Sequence, residues 1–451
     1  MHAPQRQMQS KGLFMKWSRY NLLFESDNNG WLLYNSASNS FLQLSAKAAG
    51  QVRKIARDPA KVDYSIMPEL YFHLRNGGFL VEDGQDDDFF RILKMRRLTA
   101  NYAGHTLMLT IAPTRACNFA CPYCYEGNRT ASMMTEETED ALAAFIEKHK
   151  KISRLALVWY GGEPLLALDR IRSLNRKISS LGKEYTSFIV TNGYLLDKEA
   201  ISSLDELKAT MIQITLDGKK ETHDSRRHLI GGGATYDKIV SNIEALMQSS
   251  WEGRVNIRVN VDGTNREEFA DVYRFIENRF PDQFGKRISV YPGFVHGEEA
   301  NPDTSCFFDS GEKGRFLADV HKEYGINALS MFPSGLMGGC TMTKRNAYVV
   351  GPEGELYKCW NDVGVPELEI GNISSLLNWN MPLVAEGMVG ASFLEDPKCE
   401  KCFFFPICDG GCPRMRLLNN RDGGKRDTCS YFKNHLKTLL EMHYEEKYGT
   451  K

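Results

Sequence analysis

The chain has no uninterrupted apolar run approaching the 18 or so residues of a membrane span. Its opening stretch, MHAPQRQMQSKGLFMKWSRY, has no apolar core of the kind a secretory signal carries. Together these absences predict a cytoplasmic protein with no membrane partner. Excess charge is missing as well: 56 Lys and Arg against 57 Asp and Glu leave a formal net charge of -1. A broad basic field is therefore lacking, and nucleic acid is not an expected partner. Without an export signal the 11 cysteines meet a reducing compartment, where closely spaced thiols bind metal more often than they form disulfides.

A length of 451 residues suggests two or three domains, each able to bury its own core. Residues 18–43 alternate apolar and polar positions around the turn formers DNNG and NSASNS, which predicts a small antiparallel sheet. Helical patterns follow at 45–57 and 66–76, and GGFLVED closes the unit as a short strand. The acidic stretch EDGQDDD reads as a polar connection, with a domain boundary at 83–95. From 105 to 300, short apolar strands (105–113, 155–160, 187–191, 210–216, 254–261, 287–293) alternate with amphipathic helices (135–150, 166–180, 197–205, 235–250, 266–279). Six βα units imply an α/β fold with a parallel sheet curved into a partial (β/α)6, TIM-like barrel. Chemistry in such a barrel collects in the loops after the strands. Those loops here carry three cysteines, YGGEP, TNG and TLDG in turn. Beyond residue 330 periodicity gives way to sequence rich in Cys, Gly and Pro. The expected domains are thus 15–90, 100–310 and 330–451.

The stretch TRACNFACPYCYEG sets Cys117, Cys121 and Cys124 in a C-x3-C-x2-C pattern at the exit of the first strand. Three thiolates can hold three irons of a [4Fe-4S] cluster and leave the fourth iron open. A zinc site would want a fourth ligand for tetrahedral closure, and no obvious one follows nearby. The motif, at this place in a βα barrel, closely resembles the radical S-adenosylmethionine (SAM) superfamily. The resemblance implies that the open iron chelates SAM, and that one electron cleaves it to methionine and a 5′-deoxyadenosyl radical. It makes Cys117, Cys121 and Cys124 the catalytic cluster ligands. It also implies that Gly161, Gly162 and Glu163 form the GGEP loop, its glycines allowing close backbone approach and its acid accepting from the SAM ammonium. Tyr123 would pack near adenine, Thr215 contact ribose and Arg227 meet the SAM carboxylate.

Cys340 is followed by GELYKC, which ends in Cys359, and then by Cys399, Cys402, Cys408 and Cys412 in the pattern C-x2-C-x5-C-x3-C, and by Cys429. This order is similar to a SPASM domain, the extension that carries two auxiliary clusters, which implies three [4Fe-4S] clusters in all. The resemblance assigns Cys399, Cys402, Cys408 and Cys429 to the distal auxiliary cluster and Cys340, Cys359 and Cys412 to the nearer one. Cys306, in NPDTSCFFDS, lies outside the motif and is expected to sit away from the cluster, leaving that iron open or exchangeable.

The N-terminal pattern resembles the winged-helix-like element with which peptide-modifying members capture a leader peptide by strand addition. The expected activity is therefore oxidoreductive maturation of a ribosomal precursor peptide, installing a thioether, carbon-carbon or ether crosslink or a related change. A reductant such as flavodoxin or ferredoxin would supply the electron. An alternative is an anaerobic sulfatase maturase, which forms formylglycine. Those enzymes typically place an acidic base directly after the G-x4-C cysteine, where this chain has Trp360, with Asp362 two positions further on. A second alternative, a non-enzymatic iron-sulfur electron carrier, leaves the GGEP loop and the open iron without a role.

Overall fold

The computed structural model describes residues 15–126, 131–295, 307–328, 339–375 and 378–449. The expectation for Cys306 lies outside the described residues.

The N-terminal unit begins with β1 (Met15–Trp17). A three-stranded antiparallel sheet follows, made by β2 (Asn21–Ser26), β3 (Gly30–Asn35) and β4 (Ser40–Leu44). Its two turns are the DNNG and NSASNS segments that the sequence marks. Helix α1 (Ala46–Arg57) starts on Ser45, whose hydroxyl accepts from the Ala48 N–H, and α2 (Pro68–Asn76) starts on a proline. Strand β5 (Leu80–Glu82) then returns antiparallel to β1. Leu33, Val52, Ile55, Leu74, Phe79 and Leu80 form the core of this unit.

The acidic stretch expected to be a connection is instead the start of α3 (Gln85–Tyr102), an 18-residue helix. Asp86, Asp87 and Asp88 occupy its first turn, where carboxylates suit the positive end of the helix dipole. The Asp86 carboxylate also accepts from the Ser18 hydroxyl at 2.9 Å and from the Arg19 N–H at 2.7 Å. Acidic residues that looked like a solvated linker therefore fill the first turn of a helix and fasten it to the N-terminal unit.

The expected strand and helix alternation follows. β6 (Thr106–Ile111), β7 (Arg154–Trp159), β8 (Glu184–Thr191), β9 (Ala209–Thr215), β10 (Arg254–Val261) and β11 (Ile288–Phe294) are consecutive parallel neighbours. Between them run α4 (Glu136–Lys148), α5 (Leu168–Ser180), α6 (Lys198–Ser202), α7 (Lys220–Arg226), α8 (Tyr236–Gln248) and α9 (Phe269–Arg279). β7 shows the logic of the layer: Leu155, Leu157 and Trp159 are buried, while Ala156 and Val158 alternate with them on the other face. α8 answers with Ile239, Ile243, Leu246 and Met247 on one stripe.

The cysteine-rich third extends this sheet. β12 (Ala347–Val350) lies parallel beside β6, and β13 (Glu355–Tyr357) and β14 (Gly371–Asn372) continue antiparallel, giving an open nine-stranded order β11-β10-β9-β8-β7-β6-β12-β13-β14. Helix α10 (Ser310–Tyr324), not expected from the sequence, precedes this segment with a capping box between Asp309 and Glu312. The terminal helix Leu436–Tyr448 returns to the N-terminal sheet, where Tyr444 meets Phe41 edge-on at 5.4 Å. Among the described residues no helix is long and apolar enough to cross a membrane.

Candidate active site

The loops at the C-terminal ends of β6 to β10 face one another, and the cysteine loop after β6 is fixed from two sides. One side is the loop after α7: the Ala120 N–H donates to the His228 carbonyl at 3.0 Å, and the Ile230 N–H to the Asn118 carbonyl at 2.9 Å. The other is the GGEP loop after β7, where the Gly162 and Glu163 N–H groups donate to the carbonyls of Thr114 (3.2 Å) and Ala116 (2.9 Å). A Cβ at Gly161 would lie 2.3 Å from the Thr114 carbonyl oxygen, and one at Gly162 would lie 2.2 Å from that of Ala116. Gly161 also has φ of 122°. The close approach these glycines permit is thus to the cysteine loop itself.

Glu163 is fully buried. Its carboxylate accepts from the Thr191 hydroxyl (2.7 Å) and from the N–H groups of Asn192 (2.7 Å) and Leu165 (3.0 Å). Burial pushes its pKa up and these donors pull it back. The side chain clasps the second loop to the third, and Asn192 passes the link on by donating to the Asn118 side chain at 2.7 Å.

Tyr123 is the centre of a second network. Its hydroxyl donates to the Asp217 carboxylate and accepts from Arg227 Nη1 (2.7 Å) and Asn260 Nδ2 (3.2 Å). Asp217 is fully buried and takes the Asn260 N–H at 3.0 Å, while Arg226 pairs with Asp262 at 2.9 Å and stacks its guanidinium over the Tyr123 ring. Burial holds the Tyr123 phenol well above its usual range. Thr215, at the end of β9, is buried and sits across from Arg258 in the β9/β10 register. Sequence reasoning placed Tyr123, Thr215 and Arg227 here. It missed Asp217, Arg226, Asn260 and Asp262, although TLDG and NVDG mark the ends of β9 and β10 with the same Asp-Gly signal. Arg258 was missed too, and its Nε is buried without a partner among the described residues.

The three thiols stand together beneath these networks. Burial pushes Cys117 up to about 12, and the neighbouring Glu163, Cys121 and Cys124 add to the shift. Cys121 and Cys124 are raised by burial as well, with Arg227 opposing. In the C-terminal third, Cys359 is raised well above its usual range by burial, then by Asp362, and by the nearby Cys340 and Cys412. Cys399 is pushed up to about 11 by burial, against Arg416, whose Nη2 donates to its Sγ at 3.6 Å, and Cys402 lies close to both Cys399 and Cys408. The structure therefore brings together Cys117, Cys121 and Cys124, then Cys340, Cys359 and Cys412, then Cys399, Cys402 and Cys408. Cys429 is exposed. Among the described residues no three His, Cys, Asp or Glu side chains converge on a single ion.

Tyr160 joins the first two groups. It stacks on Trp360 with ring centres 5.8 Å apart, its hydroxyl meets that of Tyr125, and both Cys124 and Cys359 are near enough to influence it. The cysteine loop of β6 and the cysteine following β13 thus approach the same aromatic stack.

Residues 111–276, which span this site from the end of β6 into α9, match the Radical SAM superfamily. Those residues form a radical SAM domain. The cysteine-rich C-terminal third fits a SPASM domain. Among curated proteins, a serine-type anaerobic sulfatase-maturating enzyme of Bacteroides thetaiotaomicron is 27% identical over 364 residues, 70% of this chain and 85% of that protein. Among solved structures, native anSMEcpe with bound AdoMet and Cp18Cys peptide matches with a TM-score of 0.58 at 20% identity, covering 76% of this chain and 98% of that one. Streptococcus suis SuiB bound to precursor peptide SuiA matches with a TM-score of 0.52 at 15% identity, covering 93% and 100%. These two likenesses show a shared α/β fold.

Proposed function

We propose that this radical SAM enzyme oxidises a residue within a peptide or protein, with formylglycine formation from Ser or Cys as the first reading. The observation that carries it is the approach of the Cys117, Cys121 and Cys124 loop and the Cys340, Cys359 and Cys412 group to one aromatic stack of Tyr125, Tyr160 and Trp360. A cluster on the first group would supply the 5′-deoxyadenosyl radical, and one on the second would stand ready to accept the electron that the substrate radical must lose. The similarity to sulfatase-maturating enzymes along most of the chain favours this reading over the crosslink that the sequence alone favoured. The chain departs from those enzymes at Trp360, and Asp362 is buried in an ion pair with Arg414 at 2.8 Å. The proton acceptor for the oxidation therefore stands elsewhere in the site.

A second reading, crosslinking of a leader-bearing precursor peptide, is favoured by one observation: the likeness to SuiB runs over 93% of the chain and so extends into the N-terminal sheet and helices. Residues 15–90 would then hold the leader by strand addition. One experiment separates the two. The reconstituted, reduced enzyme is given SAM and either a Ser- or Cys-bearing sulfatase-motif peptide or a leader-bearing precursor. A carbonyl trapped by a hydrazide supports the first reading. Hydrogen loss without a trappable carbonyl, accompanied by suppressed backbone fragmentation, supports the second and overturns the first.

A further inference from the structure

Arg97 is a buried cation beside the C-terminal cysteine region, although it belongs to α3, far away in sequence. Only 5% of the residue is exposed. Its Nη2 donates to the Phe405 carbonyl at 3.0 Å, and its guanidinium lies 4.9 Å from the Phe405 ring centre and 5.1 Å from that of Phe393. Its Nε and Nη1 have no partner among the described residues. Arg97 belongs to the wall of a cavity of about 310 Å³ that Cys340, Asp409, Gly410 and Arg416 also line. A guanidinium withdrawn from water with unused N–H groups is costly unless an anion answers it. Asp409 and the Cys408 thiol lie close enough to act on its charge.

Arg416 supplies the pattern for that answer. It enters the same cavity, is held by the Gly410 carbonyl at 2.8 Å and the Asp396 carboxylate at 3.0 Å, and turns its remaining nitrogen to Cys399 Sγ at 3.6 Å. One guanidinium already donates to a thiol of the Cys399, Cys402 and Cys408 group. The other has free donors beside Cys408.

We propose that Arg97 is a positioning residue of the auxiliary iron-sulfur centre at Cys399, Cys402 and Cys408, donating its free N–H groups to that centre's sulfurs and raising its reduction potential. The inference rests on the reading of these cysteines as cluster ligands. Hydrogen bonds to cluster sulfurs and nearby net charge are the protein's main means of setting such potentials. Two positive side chains favour the more negative, reduced form, so this centre is the better electron acceptor for their presence. The arrangement also makes the helix leaving the N-terminal unit part of the surroundings of an auxiliary centre.

The test is a redox titration followed by electron paramagnetic resonance on the full chain, reconstituted anaerobically, as native protein, Arg97→Lys and Arg97→Met. With iron content unchanged, the Met variant is expected to move one auxiliary signal to lower potential while the SAM-binding cluster stays in place, and the Lys variant should move it less. Native potentials in an iron-replete Met variant would overturn the proposal. Should the Met variant lose iron, pulsed resonance on native protein carrying 15N-arginine decides. Nitrogen coupling to the reduced auxiliary centre that weakens in Arg97→Lys supports the role, and identical coupling in the two proteins overturns it. Native protein that settles at roughly four irons per chain, one cluster's worth, would remove the auxiliary reading itself, an outcome visible without any substitution.

Discussion

Gly162 has no room for a methyl group, because the space a Cβ would need is occupied by the Ala116 carbonyl at 2.2 Å, and both partners are backbone. Gly162→Ala must therefore separate the GGEP loop from the cysteine loop, at a cost of about 1–3 kcal/mol, typical of overpacking. Thermal unfolding and 5′-deoxyadenosine yield should both fall, and a variant with native values in both would show that the loops are not clamped. Tyr123 makes a comparable case with hydrogen bonds. Tyr123→Phe leaves Asp217 without its phenol donor and Arg227 Nη1 without its acceptor, in a buried setting where an unmet partner costs about 1–3 kcal/mol. Calorimetry should find weaker SAM binding, since the loss falls on the loop that holds all three cysteines. Unchanged affinity would confine Tyr123 to a packing role.

At the scale of elements, legibility followed the regularity of burial. Strands β6 to β11 were readable because their apolar positions pack against amphipathic helices in steady alternation. α3 was not, because its apolar residues point more than one way: Phe90 packs against Phe405, while Ile92 and Met95 are exposed and the buried position is taken by a charged residue, Arg97. β12 was hidden because its pairing with β6 joins residues more than two hundred positions apart, which no local pattern reports. The Tyr123 network was half visible for the same reason, being assembled from loops after β6, β9 and β10. The terminal helix offers a test with pH. Burial pushes His443 down to about 4 from its ordinary 6.5, and the nearby Lys447 adds to the shift. The folded chain thus prefers the neutral ring, so this group's contribution is intact above pH 6.5 and is lost as the pH falls through the window toward 4. Thermal melts of the native protein should decline across that window more steeply than those of His443→Phe, whereas parallel curves would show that the ring does not sense its burial.

For the whole molecule, the N-terminal sheet and the C-terminal third close on each other. The Glu441 carboxylate accepts from the Asp27 N–H at 2.5 Å, the Ser36 hydroxyl donates to the Phe403 carbonyl at 2.6 Å, and Arg97 of α3 donates to the Phe405 carbonyl at 3.0 Å. The N-terminal unit, the barrel sheet and the cysteine-rich third are therefore physically continuous, although the motifs that announce them are separate in sequence. Everything proposed for substrate and auxiliary centres depends on one event, cleavage of SAM at Cys117, Cys121 and Cys124. Its direct measurement is 5′-deoxyadenosine formation by anaerobically reconstituted, reduced protein, comparing the native chain with the variant in which all three cysteines are alanine. The account predicts product from the native chain and none from the variant, while the variant keeps the iron bound by the C-terminal cysteines. Continued 5′-deoxyadenosine formation by the variant would contradict it.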